Sequence, residues 1–157
     1  MKSILFVCLG NICRSPMAEG VFRHIAGRRG LGARLEVDSA GTGDWHIGAP
    51  PDDRARHAAA ARGIDISGLR ARQVAPDDFT RFDLVIGMDH ANVDTLQRLA
   101  PEAAHDRIRL FLDFADGAAT REVPDPYFGG TEGFDHALDL IEAAARGLAD
   151  HIAPFKG

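Results

Sequence analysis

The stretch Ile4-Leu5-Phe6-Val7-Cys8-Leu9-Gly10-Asn11-Ile12-Cys13-Arg14-Ser15-Pro16 constrains this chain more than any other. Its apolar opening lacks in/out alternation, which marks a strand buried on both faces, as in a parallel sheet covered by helices. A short loop follows, with Cys8 at its start and Arg14 near its end. Ser15 is expected to cap a helix and Pro16 to take its first position, where a missing N–H costs nothing. Met17, Val21, Phe22 and Ile25 continue at helical spacing. Strand, tight loop and helix N-terminus make an anion site in outline: converging amides, the positive end of a helix dipole and one planar guanidinium. Arg14 can grip two oxygens of a tetrahedral oxyanion through its fork, which a lysine cannot imitate.

A cysteine in such a loop supplies a nucleophile. A free thiol has a pKa of ~8.5, and a helix N-terminus or a neighbouring cation lowers it to roughly 3.5–7.5. Cys8 is therefore expected to be a thiolate at neutral pH, and a titration placing its pKa above ~8 would overturn that. Cysteine, five residues, arginine and serine at a strand-to-helix junction point to covalent phosphoryl transfer through a phosphocysteine.

Further along, Gly27, Gly30 and Gly32 end the first helix, and Leu35–Ala40 alternates as a second strand. An irregular stretch through Trp45 and His46 leads to Pro51-Asp52, which opens a helix running to Arg62 and stopped by Gly63. Phe82–Met88 reads as a third strand. Asp89 caps the next helix, with Val93, Leu96 and Leu99 on one face, and Arg107–Leu112 reads as a fourth strand. Phe134, Leu138, Ile141, Ala145, Leu148 and Ile152 share one face of a long last helix. Strands alternating with helices imply an α/β fold: right-handed crossovers and a parallel sheet with helices on both faces. Ligands bind such sheets beyond the carboxyl ends of the strands, and Cys8, Ser39 and Asp89 all point to that rim.

The loop Cys8–Pro16, together with Asp125-Pro126-Tyr127-Phe128-Gly129 far downstream, resembles the low-molecular-weight protein tyrosine phosphatases over almost the whole chain. That resemblance implies a flavodoxin-like four-stranded sheet of order 2-1-3-4, and a single domain spanning residues 1–157. It implies hydrolysis of phosphotyrosine in proteins, with Cys8 as nucleophile, Arg14 as phosphate clamp and Asp125 as general acid and then base. The phosphate-binding loop is then Leu9, Gly10, Asn11, Ile12, Cys13, Arg14 and Ser15. Asn11 suits a left-handed backbone, and in the family it joins a supporting network with serines matching Ser15 and Ser39. Trp45, Tyr127 and Phe128 match the pocket walls, with Leu9 and Ile12 as its floor; the plainer alternative is that Phe128 fills a small core under its loop. Independently of the family, Pro126 biases Asp125 towards extended backbone, and Gly129-Gly130 lets the segment swing.

Three features qualify the resemblance. Many members carry a histidine where Leu69 stands, so the brace on Asn11 must be shortened, water-mediated or supplied elsewhere. Tyr127 is the only tyrosine in the chain, so regulation by tyrosine phosphorylation would act through it. Cys13 is either a small buried residue or, as the family pattern favours, a redox partner that traps oxidised Cys8. Related enzymes acting on phosphoarginine have threonine at the position of Ile12, which tilts the reading to phosphotyrosine. Besides a protein-arginine phosphatase, the alternatives are an arsenate reductase using an external thiol and a non-catalytic phosphate-binding module. Retention of Cys8, Arg14 and Asp125 together argues against the last.

Bulk properties narrow the partners. With a net charge of −5, nucleic acid and anionic membranes are not expected as partners. The expected partner is a phosphotyrosine protein, with a tyrosine kinase as one candidate. Met1-Lys2 leads straight into the first strand, so no secretory signal is expected. Two cysteines make neither a disulfide scaffold nor a zinc site, so a reducing cytoplasm is the default and no metal or cofactor is called for. Among the histidines, His24, His57, His136 and His151 fall on solvated helix faces, and only His46, beside Trp45, is of interest.

Overall fold

In the computed structural model, residues 2–152 are described. Four parallel strands, β1 (Lys2–Cys8), β2 (Leu35–Gly41), β3 (Leu84–Gly87) and β4 (Ile108–Leu110), lie in the order β2-β1-β3-β4. The helices are α1 (Arg14–Arg28), α2 (Asp53–Ala60), α3 (Asp78–Arg81), α4 (His90–Leu99) and α5 (Glu132–Ile152). This is the order that the resemblance implied. Because β1 has β2 on one side and β3 on the other, the crossovers diverge at its carboxyl end and leave a crevice there.

Alternate residues of β1 feed two cores. Ile4, Phe6 and Cys8 join the larger one with α1, α2 and α5, while Leu5 and Val7 join the smaller one with Phe79, Phe82, Val85 and Leu96. Burial on both faces explains the unbroken apolar run. The stripe expected on α5 is buried from Phe134 to Ile152, and each of its large aliphatic side chains contributes about 1.5–3 kcal/mol by leaving water.

Several boundaries differ from expectation. The ladder of β3 covers only Leu84–Gly87, and β4 stops at Leu110 because Phe111–Phe114 turns into a 3₁₀ helix that carries Phe111 into the core. Helix α2 is shorter than Pro51–Arg62: Asp52 is its cap, accepting from the Arg54 N–H at 2.8 Å, and Gly63 beyond its end has φ 80°. Leu99 is exposed while Leu96 is buried, so the apolar face of α4 ends a turn early. The start of α1 is a correction with consequences for the site. The helix begins at Arg14, its cap position is Cys13 and no side chain caps it. Ser15 lies inside the first turn because its hydroxyl is engaged by Cys8 and Asn11.

Candidate active site

Cys8 is the last residue of β1, and its sulfur is buried in the loop that follows. Two groups converge on it: the Ser15 hydroxyl, with Oγ 3.0 Å from Sγ, and the Asn11 backbone N–H, with N 3.3 Å away. Asn11 has φ 57°, the only positive value at a non-glycine residue among those described. That left-handed conformation turns the chain tightly enough to bring its N–H back to the sulfur, and a buried network holds it there. The Asn11 amide donates to Ser15 Oγ at 2.8 Å and to Ser39 Oγ at 3.0 Å. Its Oδ1 accepts the Arg72 backbone N–H at 2.9 Å. Ser39 in turn donates to Glu19 Oε1 at 2.8 Å.

Arg72 thus supplies the brace that Leu69 cannot. Leu69 is half-buried and packs against the larger core instead. Burial raises the Glu19 carboxyl above its ordinary range, opposed by its bonds from Ser39 and Arg23. Behind the loop lies Gly41, where a Cβ would stand 2.8 Å from the Leu9 carbonyl oxygen and 3.2 Å from the Asn11 nitrogen. Only glycine allows β2 to pass this close.

Arg14 is almost fully buried and is held from two directions. Nη1 donates to Asp89 Oδ2 at 2.6 Å and to the Val123 carbonyl at 3.0 Å, while Nη2 lies 3.6 Å from Asp125 Oδ2. Burial alone would depress this guanidinium, but the charge on Cys8, the Asp89 bond and Asp125 together raise its pKa. Asp89 also accepts the Asn92 N–H at 2.8 Å as the cap of α4. One carboxylate therefore fixes both a helix start and the clamp. The spacing of the sequence showed only the first of these roles.

Asp125 sits on the segment after Val123, whose N–H donates to the Met88 carbonyl at the end of β3. Its Oδ1 accepts the Tyr127 N–H at 3.1 Å. Cys8, Leu9, Gly10, Ile12, Cys13, Arg14, Trp45, His46, Asp125, Tyr127 and Phe128 line one cavity of about 270 Å³. Ile12 is nearly buried, as a floor residue would be, whereas Leu9 is 44 % exposed and stands at the rim, because it sits at the outward turn of the loop. Phe128 is 92 % exposed and fills no core under its loop; its ring meets that of Tyr127 edge-on at 4.9 Å. Trp45 is exposed as well, its ring lying over Gly43. His46 stands against Gly10 and faces Tyr127, with ring centroids 6.4 Å apart, while His24, His57, His136 and His151 are exposed on helices. Cys13 is a buried free thiol. Burial first, then the charges on Asp52, Cys8 and Asp125, push its pKa far up.

The arrangement defines a class: an α/β protein with a cysteine–arginine anion loop at the carboxyl end of its central first strand, and a carboxylate brought to it from a separate segment. Residues 3–155 match the sequence model of the family described as low molecular weight phosphotyrosine protein phosphatase. The chain belongs to that family. It is 42 % identical to the low molecular weight protein-tyrosine-phosphatase YfkJ of Bacillus subtilis over 99 % of both chains. It is 40 % identical to the low molecular weight protein-tyrosine phosphatase A of Mycobacterium tuberculosis, over 95 % of this chain and 90 % of the relative. Among solved structures, a protein tyrosine phosphatase from Entamoeba histolytica superposes with a TM-score of 0.96 at 38 % identity, covering all of both chains.

Proposed function

We propose that this chain hydrolyses phosphotyrosine in proteins through a phosphocysteine on Cys8. The observation that carries the reading is the convergence of Cys8, Arg14 and Asp125 on one cavity whose mouth is aromatic. The Cys8 thiolate attacks phosphorus, an S–P bond forms, and the P–O bond to the tyrosine breaks. Asp125 gives its proton to the departing phenolate, which otherwise leaves badly. The same carboxylate then takes a proton from the water that attacks the phosphocysteine. The S–P bond breaks, releasing inorganic phosphate and restoring the thiolate. Throughout, Arg14 holds two equatorial oxygens through its fork, with Asp89 keeping that fork aimed. The Ser15 hydroxyl and Asn11 N–H stabilise the sulfur as attacking and as leaving group.

The rim supports a long aryl phosphate over a short alkyl one, since Trp45, Tyr127 and Phe128 can flank a phenyl ring while the phosphate reaches Arg14. The experiment is phosphate release, without added metal, from matched phosphotyrosine, phosphoserine and phosphoarginine peptides, with Cys8→Ser as control. Phosphotyrosine turnover that disappears in Cys8→Ser, by about 10⁴-fold or more, is expected. Preference for phosphoarginine would keep the nucleophile and discard the argument from Ile12. Neither the family match nor the relatives named above favours an arsenate reductase.

The finer readings belong to the same proposal. A phosphotyrosine protein, with a tyrosine kinase as one candidate, is the partner, and the cytoplasm is the compartment. No helix among the described residues is long and apolar enough to cross a membrane. Cys13 serves as a redox partner: a peroxide converts Cys8 to a sulfenic acid, and the Cys13 thiol condenses with it, forming an S–S bond and releasing water. Loss of two hydrogens from the peroxide-treated protein, reversed by a dithiol, is the expected mass signature. Its absence would leave Cys13 as a buried packing residue.

A further inference from the structure

Asp52 and Arg54 lie outside the phosphate loop and outside the segment of Asp125, yet they touch both. The Asp52 backbone N–H donates to the Ile12 carbonyl at 2.8 Å, tying the start of α2 to the phosphate loop. The Asp52 carboxylate holds Arg54 by its fork, Nε to Oδ1 at 3.0 Å and Nη2 to Oδ2 at 3.1 Å. With two of its nitrogens fixed, the third, Nη1, reaches the Gly129 carbonyl at 3.3 Å. The guanidinium carbon lies 5.5 Å from the centroid of the Tyr127 ring and 4.8 Å from that of the buried Phe134. Tyr127 is the residue whose N–H binds Asp125 Oδ1.

A continuous strut therefore runs from the loop that carries Cys8, through Asp52 and Arg54, to the segment that carries Asp125. We infer that Arg54 is a positioning residue for the acid. Held by Asp52, it fixes the Tyr127–Gly129 stretch and so places the Asp125 carboxyl over the leaving oxygen. The inference rests on the phosphatase reading above. Among the described residues, Asp125 is held otherwise only by Arg14 at 3.6 Å and by one backbone N–H. Proton delivery is sensitive to such placement: a shift of about 1 Å can cost on the order of 10²-fold. Lysine could not substitute fully. Its point charge can pair with one oxygen of Asp52 but cannot hold both oxygens, the Gly129 carbonyl and a stacked ring at once.

The test is kcat/KM for Arg54→Ala and Arg54→Lys across aryl phosphates, from nitrophenyl, which leaves without help, to unsubstituted phenyl, which needs the proton. With Arg54→Ala, phenyl phosphate should lose about 10- to 100-fold and nitrophenyl phosphate less than about threefold, so the dependence on leaving-group basicity steepens. Arg54→Lys should fall between the wild type and Arg54→Ala. A stabilising role alone would scale all substrates together, and a uniform loss across the series would overturn the inference while leaving the phosphatase reading intact. Unchanged kinetics on phenyl phosphate would overturn it too. If Arg54→Ala failed to fold, Arg54→Lys and Asp52→Asn would carry the same comparison. If the wild type turned over no aryl phosphate, the phosphatase reading would fall and this inference with it.

Discussion

The loop that carries Cys8 and the segment that carries Asp125 meet at one guanidinium and are built in opposite ways. In the first, Cys8, Asn11, Ile12, Cys13, Arg14 and Ser15 are all buried, and each polar atom of the Asn11 amide has a named partner. In the second, only Val123 and Pro126 are buried between residues 121 and 130. Two carboxylates show the same contrast at the scale of a single bond. Asp89 meets Arg14 at 2.6 Å from the cap of a helix, whereas Asp125 meets it at 3.6 Å from an exposed turn. A nucleophile and its clamp must keep one geometry through both chemical steps, which favours a fully satisfied buried network. An acid that also serves as base must admit first a protein substrate and then water, which favours a segment anchored at its ends and open between.

The largest expected effect breaks the open side. Asp125→Asn removes the proton donor and leaves the bonds among Cys8, Asn11, Ser15 and Ser39 in place. We expect kcat/KM on phenyl phosphate to fall by about 10²–10⁴-fold. The exposed carboxylate meets the buried Arg14 only at 3.6 Å, and the guanidinium keeps its closer bonds to Asp89 and the Val123 carbonyl, so stability should change by less than about 1 kcal/mol. Steady-state kinetics and thermal unfolding on one preparation check both halves. A loss smaller than about tenfold would mean that another group carries the proton.

Next in size is a change that strains the closed side without removing any functional group. Gly41→Ala drives a methyl to within 2.8 Å of the Leu9 carbonyl oxygen, a backbone atom that yields only if the whole loop shifts. The cost should be about 1–3 kcal/mol, read from a denaturant midpoint. Unlike Arg54→Ala, this substitution should lower kcat/KM for good and poor leaving groups alike, since it moves the nucleophile rather than the acid. A leaving-group-dependent loss would contradict the division between the two regions.

How much of this was legible in the sequence follows the same division. Cys8, Arg14 and the strand-to-helix junction form one local pattern, and a local pattern can be read without a fold. The left-handed Asn11 was equally legible, because asparagine tolerates that conformation. For Ser15 the family resemblance gives the right partner in Asn11 and the capping rule gives the wrong role: capping preference is local, and the tertiary network takes the hydroxyl for Cys8 and Asn11 instead. Asp89 was half-read, since its role as a cap is local while its bond to Arg14 depends on β3 lying beside β1. Glu19, Gly41 and the Arg72 backbone gave no signal, and Asp52 was legible only as the start of a helix. The contacts that tie these residues to the site run to groups remote in sequence, as from Arg54 to the Gly129 carbonyl and from Asp52 to the Ile12 carbonyl, and no spacing rule encodes them. Asp125 drew its role from family resemblance, and its local chemistry showed only a hinged turn.

The smallest expected effect sharpens the contrast at the rim. Phe128 is more exposed than any other large apolar side chain among those described, and its one ring contact is with Tyr127. Truncating it removes almost nothing that folding had buried, so Phe128→Ala should leave stability within about 0.5 kcal/mol. Small aryl phosphates that end inside the pocket should be hydrolysed at nearly the wild-type kcat/KM. A phosphotyrosine peptide, whose neighbouring residues must cross the rim, should lose binding that is equal in ground and transition states. Its KM should then rise about three- to tenfold with kcat nearly unchanged, a change of about 1 kcal/mol. An equal effect on small and peptide substrates would instead show that Phe128 acts through Tyr127 on the acid, and would join the rim to the strut that Arg54 holds.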